Sequence, residues 1–444
     1  MTDIARHPTP DFIAAWVTCA RRARAPLSDE AMRQARRSWF DTIATALGGM
    51  HERCTHAAVE ASGGADPALV LGTAAHALDY DDVCMLATCH PSAPVVSALL
   101  AVLPQADARL AFADVLGAYL LGVETALRLG QWIGFRHYAL GFHATDTLGV
   151  VGAAAACAQL LELPDDVARR AMAIAASSAG GLRANFGTDT KPLHCGLAAS
   201  AAVRAVLLAR AGATASDEVW GARGFAYAFS GGEQPQRLAW TGSQPWAIEQ
   251  PGFEHKRFPS CYLTHRMIAG VLKLRQGAPA LPMPDRVEIG LPAHGLAALI
   301  HPRPVTGLEG KFSAEYCCAA AWHDGAVTLR SFSDAAPLRV EVQALMARVV
   351  TTEREAAGEK LDTAPVHVRV LHASGDSSAV TVDWAPGSMA DPMSRADLLA
   401  KWDDCAAHAG HPAGDNRAAL ALLDAPAGTR ASDVLGPLRA LLLG

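Results

Sequence analysis

Residues 147–161 read TLGVVGAAAACAQLL, a run of small and aliphatic side chains without proline or strand-like alternation. Alanine loses no side-chain entropy on entering a helix, so the run predicts an α-helix. Its small side chains suit close packing against neighbouring helices. The flanks continue in the same style at 165–180 and 196–212. Upstream, 91–130 reads as two helical stretches broken near Pro104, and 10–24 and 28–48 as two amphipathic helices separated by Pro26. Ser28 before Asp29 and Glu30 is an N-cap, and Gly48–Gly49 closes that second helix.

Past residue 250 the character changes. RVEIGLP (286–292), ARVVTTE (347–353), VHVRVLHA (366–373) and SAVTVDWA (378–385) are rich in β-branched residues and partly alternating, as strands are. Gly375–Asp376 reads as a hairpin connection between the last two. Helical sequence returns at about 393 with ADLLAKWDDCAAHAG and the terminal VLGPLRALLL. The expected fold is therefore mainly α: a large all-helical domain formed by 1–253 and 392–444, with a smaller α+β lid domain, 254–391, inserted into it. Clefts between domains are favoured ligand sites.

Composition narrows the function classes. Of 444 residues, 51% are hydrophobic and only 6% aromatic, which does not suit an all-β protein. A net charge of -6 argues against a nucleic-acid partner, which needs a basic face. It leaves room for an anionic small molecule, because a few converging cations suffice for a carboxylate. The ten cysteines form no CxxC pair, so no zinc knuckle or thioredoxin-like site is expected. The opening MTDIARHPTPDF lacks a signal-peptide core, and no run of about 18 uninterrupted apolar residues suggests a membrane span. The expectation is a soluble cytoplasmic protein with reduced thiols. No GxGxxG after a strand, Walker A loop or HExxH helix occurs, so neither a nucleotide nor a metal is expected as cofactor.

Five segments carry chemistry-bearing residues. HALDYDDVCMLATCHPSAPV (76–95) places Asp79, Asp81 and Asp82 ahead of His90. Pro91 biases His90 away from helix, and Ser92 suits a cap for the apolar helix that follows. His90 with a carboxylate of 79–82, Asp79 favoured, would make an acid–base pair; capped helix and solvated aspartates are the plain alternative. GFHATDTLG (141–149) sets His143 and Thr145 at a helix start, where a carboxylate can bind, or where His143 simply packs. ANFGTDTKPLHCG (184–196) holds Lys191 in a loop before a helix expected near Gly196, with His194 facing either pocket or core. EHKRFPSCYLTH (254–265), at the domain junction, offers Lys256 and Arg257 as an anion clamp or an interdomain salt-bridge cluster. TGLEGKFSAEYCCAAA (306–321) offers Tyr316 as a phenol donor or as a core residue.

Taken in order, these five segments resemble the MmgE/PrpD family over about residues 28–320. The resemblance implies a helical domain with an inserted lid, a homodimer, no metal or organic cofactor, and a pocket whose basic residues hold substrate carboxylates. Its pocket positions fall on Asp79, His90, His143, Lys191, Lys256 and Tyr316, with His90 as the proton carrier. The reaction expected first is dehydration of the 2-methylcitrate type; epimerisation or decarboxylation of a small di- or tricarboxylate is the alternative. Three departures stand out. Val83 replaces a common Thr, Cys261 a His of some decarboxylase-like members, and Asp146 and Asp189 add charge where many relatives have none.

Overall fold

The computed structural model describes residues 12–233, 238–276, 283–354, 361, 363–412 and 416–444. The chain is mainly α-helical, with one small mixed sheet. The first expected helix forms as Phe12–Ala23, residues 10 and 11 lying outside the described range. The second spans Asp29–Gly49, and Ser28 caps it by accepting from the Ala31 N–H. Ser92–Val102 and Phe112–Ile133 flank the break at Pro104, and the small-residue run becomes Ala144–Leu160, buried along its whole length.

One helix begins earlier than its sequence suggests. Thr190–Arg210 takes in Lys191 and Pro192 in its first turn, where proline is tolerated because those N–H groups lack intrahelical partners anyway. Lys191 therefore sits on a helix rather than in a loop. This helix is also long and apolar enough to cross a membrane by length and composition, but 61% of its apolar window is buried in the protein.

Strands β1 (Arg286–Pro292), β2 (Val349–Arg354), β3 (Val366–Leu371) and β4 (Ser377–Val382) form a sheet of order β2-β1-β3-β4. β1 runs parallel to β2 and antiparallel to β3, and β3–β4 is the expected hairpin. Val366, Val368 and Val370 alternate inward, against helix His265–Gln276, in a core that also takes in helix Ala314–Asp324. Buried apolar side chains fall into two large clusters. One draws mainly on Phe12 to Phe253 and on Met393 to Leu442. The other draws on Phe258 to Val370.

Two glycines set the crossing that matters most for the site. A Cβ on Gly72 would stand 2.8 Å from Gly196 Cα, and one on Gly196 only 2.3 Å from the Leu69 carbonyl oxygen. Glycine at both positions lets helix Pro67–Ala77 lie directly on helix Thr190–Arg210. His76 follows Gly72 by about one turn and Lys191 precedes Gly196 by little more, so the crossing sets their side chains against each other.

Candidate active site

The chain between the helix ending at Ala77 and the one starting at Ser92 forms the floor of the site. It turns at Asp79, whose φ of 52° lies in the left-handed region, where Asp is better tolerated than most residues. A bridge between Cys84 and Cys89 then folds the loop back on itself, and His90 follows in a non-helical position before Pro91. Ser92 is the first helical residue rather than a cap. Asp82 takes the capping role, accepting from the Ser92 N–H at 3.3 Å and from its hydroxyl.

Asp79 holds two lysines. Lys191 Nζ donates to Oδ1 at 2.6 Å, and Lys256 Nζ lies 3.1 Å from Oδ2 and donates to the Asp79 carbonyl at 2.9 Å. Burial by itself would raise this carboxyl, but Lys191 and Lys256 hold it well below its ordinary value. Lys256 reaches the loop because Val83 and Glu254 pair backbone to backbone, at 3.0 and 2.8 Å. A fourth buried group fastens this junction from far along the chain. Lys401 Nζ donates to Asp41 at 2.6 Å, to the Tyr80 carbonyl at 2.6 Å and to the Lys256 carbonyl at 3.0 Å.

Asp81, not Asp79, partners His90. Its Oδ2 lies 3.2 Å from His90 Nδ1 and 2.8 Å from His76 Nδ1, while His76 Nε2 meets Lys191 Nζ at 3.0 Å. Lys191 is a donor, so His76 Nε2 accepts and its Nδ1–H points to Asp81. His90 Nδ1 faces the same carboxylate oxygen at ion-pair distance. Burial pushes His76 down to about 3 and lowers His90, with Asp81 opposing the shift in both. Both rings are thus neutral near pH 7. His76, Asp81 and His90 also bring one ligand atom each within 4.8 Å of the others, a spacing a metal ion could bridge.

His143 occupies the N-cap position of Ala144–Leu160, stacked on His76 at 5.5 Å. Its Nδ1 lies 3.1 Å from His194 Nδ1, and its buried Nε2 has no hydrogen-bond partner among the described residues. Burial, then His76 and Lys191, drive it well below its ordinary value. His194 faces His143 and does not line the cavity. Thr145 Oγ1 accepts from the His90 N–H at 3.1 Å, so it anchors the His90 backbone and is likewise absent from the lining.

Asp79, His90, His143, Lys191 and Lys256 open onto one cavity, shared with Val83, Cys261 and several aromatic side chains. Two expected residues are not brought to it. The Tyr316 hydroxyl donates to the Ser331 carbonyl inside the second core cluster, fully buried. Arg257 points to solvent and pairs with Asp397. The extra carboxylates also lie elsewhere: Asp189 pairs with Arg53 at 2.6 Å, and Asp146 lines a separate surface depression. Sequence reading passed over His76, Lys401 and Asp41. His76 stood in the quoted segment, one helical turn before Tyr80; Lys401 and Asp41 carried no local signal.

Fold and site together define a mainly helical protein with a buried cavity in which two lysines and carboxylate-backed imidazoles converge. Two family models match it: MmgE/PrpD N-terminal domain over residues 12–238 and MmgE/PrpD C-terminal domain over 258–424. The chain belongs to the MmgE/PrpD family, whose members are enzymes acting on polycarboxylates. It is similar to cis-aconitate decarboxylase of Homo sapiens, 31% identical over 349 residues, 76% of this chain and 71% of the relative. The corresponding protein of Mus musculus is 30% identical over 344 residues, covering 76% and 70%.

Proposed function

We propose that this protein is a lyase that removes CO₂ from a small carboxylate substrate, with His90 as the proton carrier. The observation that carries the reading is the cavity itself: two lysines and a carboxylate-backed imidazole open onto otherwise largely apolar walls. Lys191 and Lys256 hold the carboxylates that stay. The carboxylate that leaves faces poorly solvating walls, which raises its energy relative to a charge-dispersed transition state. As the C–CO₂ bond breaks, its electron pair passes onto the substrate carbon and is spread towards a retained carboxylate held by the lysines. His90, neutral in the empty site, takes up a proton from solvent as the anionic substrate binds, its imidazolium then supported by Asp81, and it delivers that proton to carbon. The similarity to two cis-aconitate decarboxylases supports this direction of chemistry. In this reading the 254–391 segment, which carries Lys256, acts as a lid.

Dehydration of the 2-methylcitrate type is the second reading, and one observation favours it. Burial keeps His90 and His143 neutral, the protonation state of a base that removes a proton beside a carboxylate.

NMR in D₂O separates the two on cis-aconitate, citrate, 2-methylcitrate, iminodisuccinate and alkyl-substituted unsaturated dicarboxylates. Decarboxylation releases CO₂ and leaves one deuteron on carbon; dehydration gives an alkene with no CO₂. His90→Asn should lower turnover by roughly 10²–10⁴-fold with binding much less affected. Near-full turnover by His90→Asn would remove it as the proton carrier.

A further inference from the structure

We infer that the cavity selects a substrate with two carboxylates and one apolar arm over a tricarboxylate. The inference rests on this cavity being the active site, and not on which bond is broken there.

The lining divides in two. Asp79, Lys191, Lys256, His90 and His143 belong to one contiguous polar cluster, tied together through His76 and Asp81. Val83, Met85 and Tyr262 instead form an apolar patch with Ala385, separate from both large cores. Leu263 and Ala298 extend the apolar lining. A ligand filling the cavity therefore meets the charged cluster and, against Val83 and Met85, hydrocarbon; the neutral hydroxyls of Thr88, Tyr138 and Tyr262 also belong to the lining.

The charge of the polar side is limited. Among the described residues Lys191 and Lys256 are the two cations on the cavity wall; Asp79 is ionised against them, and Asp81, behind the wall, against His76 and His90. With the imidazoles neutral, the cluster carries no net positive charge before substrate enters. Other cations nearby are committed elsewhere. Lys311 Nζ donates to the Leu78 carbonyl, and Arg257 pairs with Asp397. Arg183 lies 3.8 Å over the Tyr138 ring and donates to the Tyr138 and Ala297 carbonyls at 2.8 and 3.1 Å. Two lysines offer partners for two carboxylates. A third carboxylate against Val83, Met85 and Tyr262 would meet no cation among the described residues, so the loss of its hydration is poorly repaid. An alkyl group there gains from leaving water.

Titration calorimetry of the full chain with two near-isosteric probes tests this. Isobutylsuccinate and propane-1,2,3-tricarboxylate differ in one arm, isopropyl against carboxylate, and neither needs to react. Isobutylsuccinate should bind at least about ten-fold more tightly. Equal or tighter binding of the tricarboxylate, or binding of neither probe, overturns the inference. Met85→Lys places a cation on the apolar side at a half-buried position and should narrow or reverse the preference; an unchanged ratio in the folded variant also overturns it. Lys191→Ala should weaken both probes, and failure to do so would place their binding outside this cavity and overturn it too. Turnover is not read in this experiment. A preference for isobutylsuccinate in a protein inert to every acid tried would therefore sink the proposed reaction and leave this inference standing.

Discussion

Oδ2 of Asp81 lies 3.2 Å from Nδ1 of His90, and the same oxygen lies 2.8 Å from Nδ1 of His76. One carboxylate oxygen thus orients two imidazoles, and His76 in turn meets the lysine that binds Asp79. The charge on Asp81 opposes burial at His90 and keeps its pKa from falling further. Asp81→Asn removes that opposition, so the pKa of His90 should drop. Whether the ring gives or takes the proton, its limb of the pH–rate profile moves to lower pH. Turnover should fall by roughly 10–100-fold, as is typical of partners that orient a reactive imidazole. A profile that stays in place in Asp81→Asn would detach Asp81 from His90 function, whatever happened to stability.

The two lysines make a different kind of prediction. Lys191 and Lys256 approach Asp79 from separate segments, one from a helix start and one from the strand-like stretch bridged to Val83. Replacing either by Ala removes one charge-assisted contact to a substrate carboxylate, worth about 1.5–3 kcal/mol. Substrate binding should therefore weaken by about ten-fold or more in each variant. Asp79 retains one lysine in each, so the far-UV circular dichroism should be unchanged. Wild-type Michaelis constants in both variants would take the lysines out of the site.

How far the sequence discloses this site depends on local geometry. The small-residue helix and the four strands follow from patterns readable in single segments, whereas the meeting of Asp79, His90, His143, Lys191 and Lys256 in one cavity is what the family resemblance implies. The partner of His90 follows from neither. Counting residues favours Asp79, but its positive φ turns the side chain towards the lysines and leaves Asp81 to meet the ring. The direction of Tyr316 is set by the phase of the short helix that starts at Ala314, which sends the phenol into the core. Lys401 lies 321 and 145 residues beyond the Tyr80 and Lys256 carbonyls it holds, and only the tertiary fold brings them together.

Tyr316 yields a test that separates core from chemistry. Its hydroxyl donates to the Ser331 carbonyl and its ring packs edge-on to Phe332 at 5.8 Å, away from the cavity. Tyr316→Phe leaves the ring in place and strips one buried hydrogen bond, so unfolding free energy should drop by about 1–3 kcal/mol. Turnover at a temperature where both proteins are folded should match wild type. A hundred-fold loss of turnover with unchanged stability would return Tyr316 to the catalytic machinery.

Asp82 supplies the clearest pH dependence of stability. Burial, reinforced by Asp41 and Asp81, pushes its carboxyl up to about 8 from an ordinary 3.8. The proton it keeps lets a neutral group sit among the Ser92 hydroxyl, the Ser92 N–H and, 2.7 Å from that hydroxyl, the Tyr119 phenol. The sign follows from linkage: the folded state holds this proton where the unfolded chain has released it. Stability from this group is therefore complete below about pH 4 and is lost as pH rises through about 8. Asp82→Asn abolishes the titration while keeping an acceptor for the Ser92 N–H. Every other titrating group is common to both proteins, so their difference in unfolding free energy isolates Asp82. Urea titrations at pH 5 and pH 9 should show the variant gaining on wild type as pH rises, by on the order of several kcal/mol. A difference that stays constant between the two pH values would mean that Asp82 titrates alike in the folded and unfolded chain, and that its burial beside Ser92 does not hold the proton.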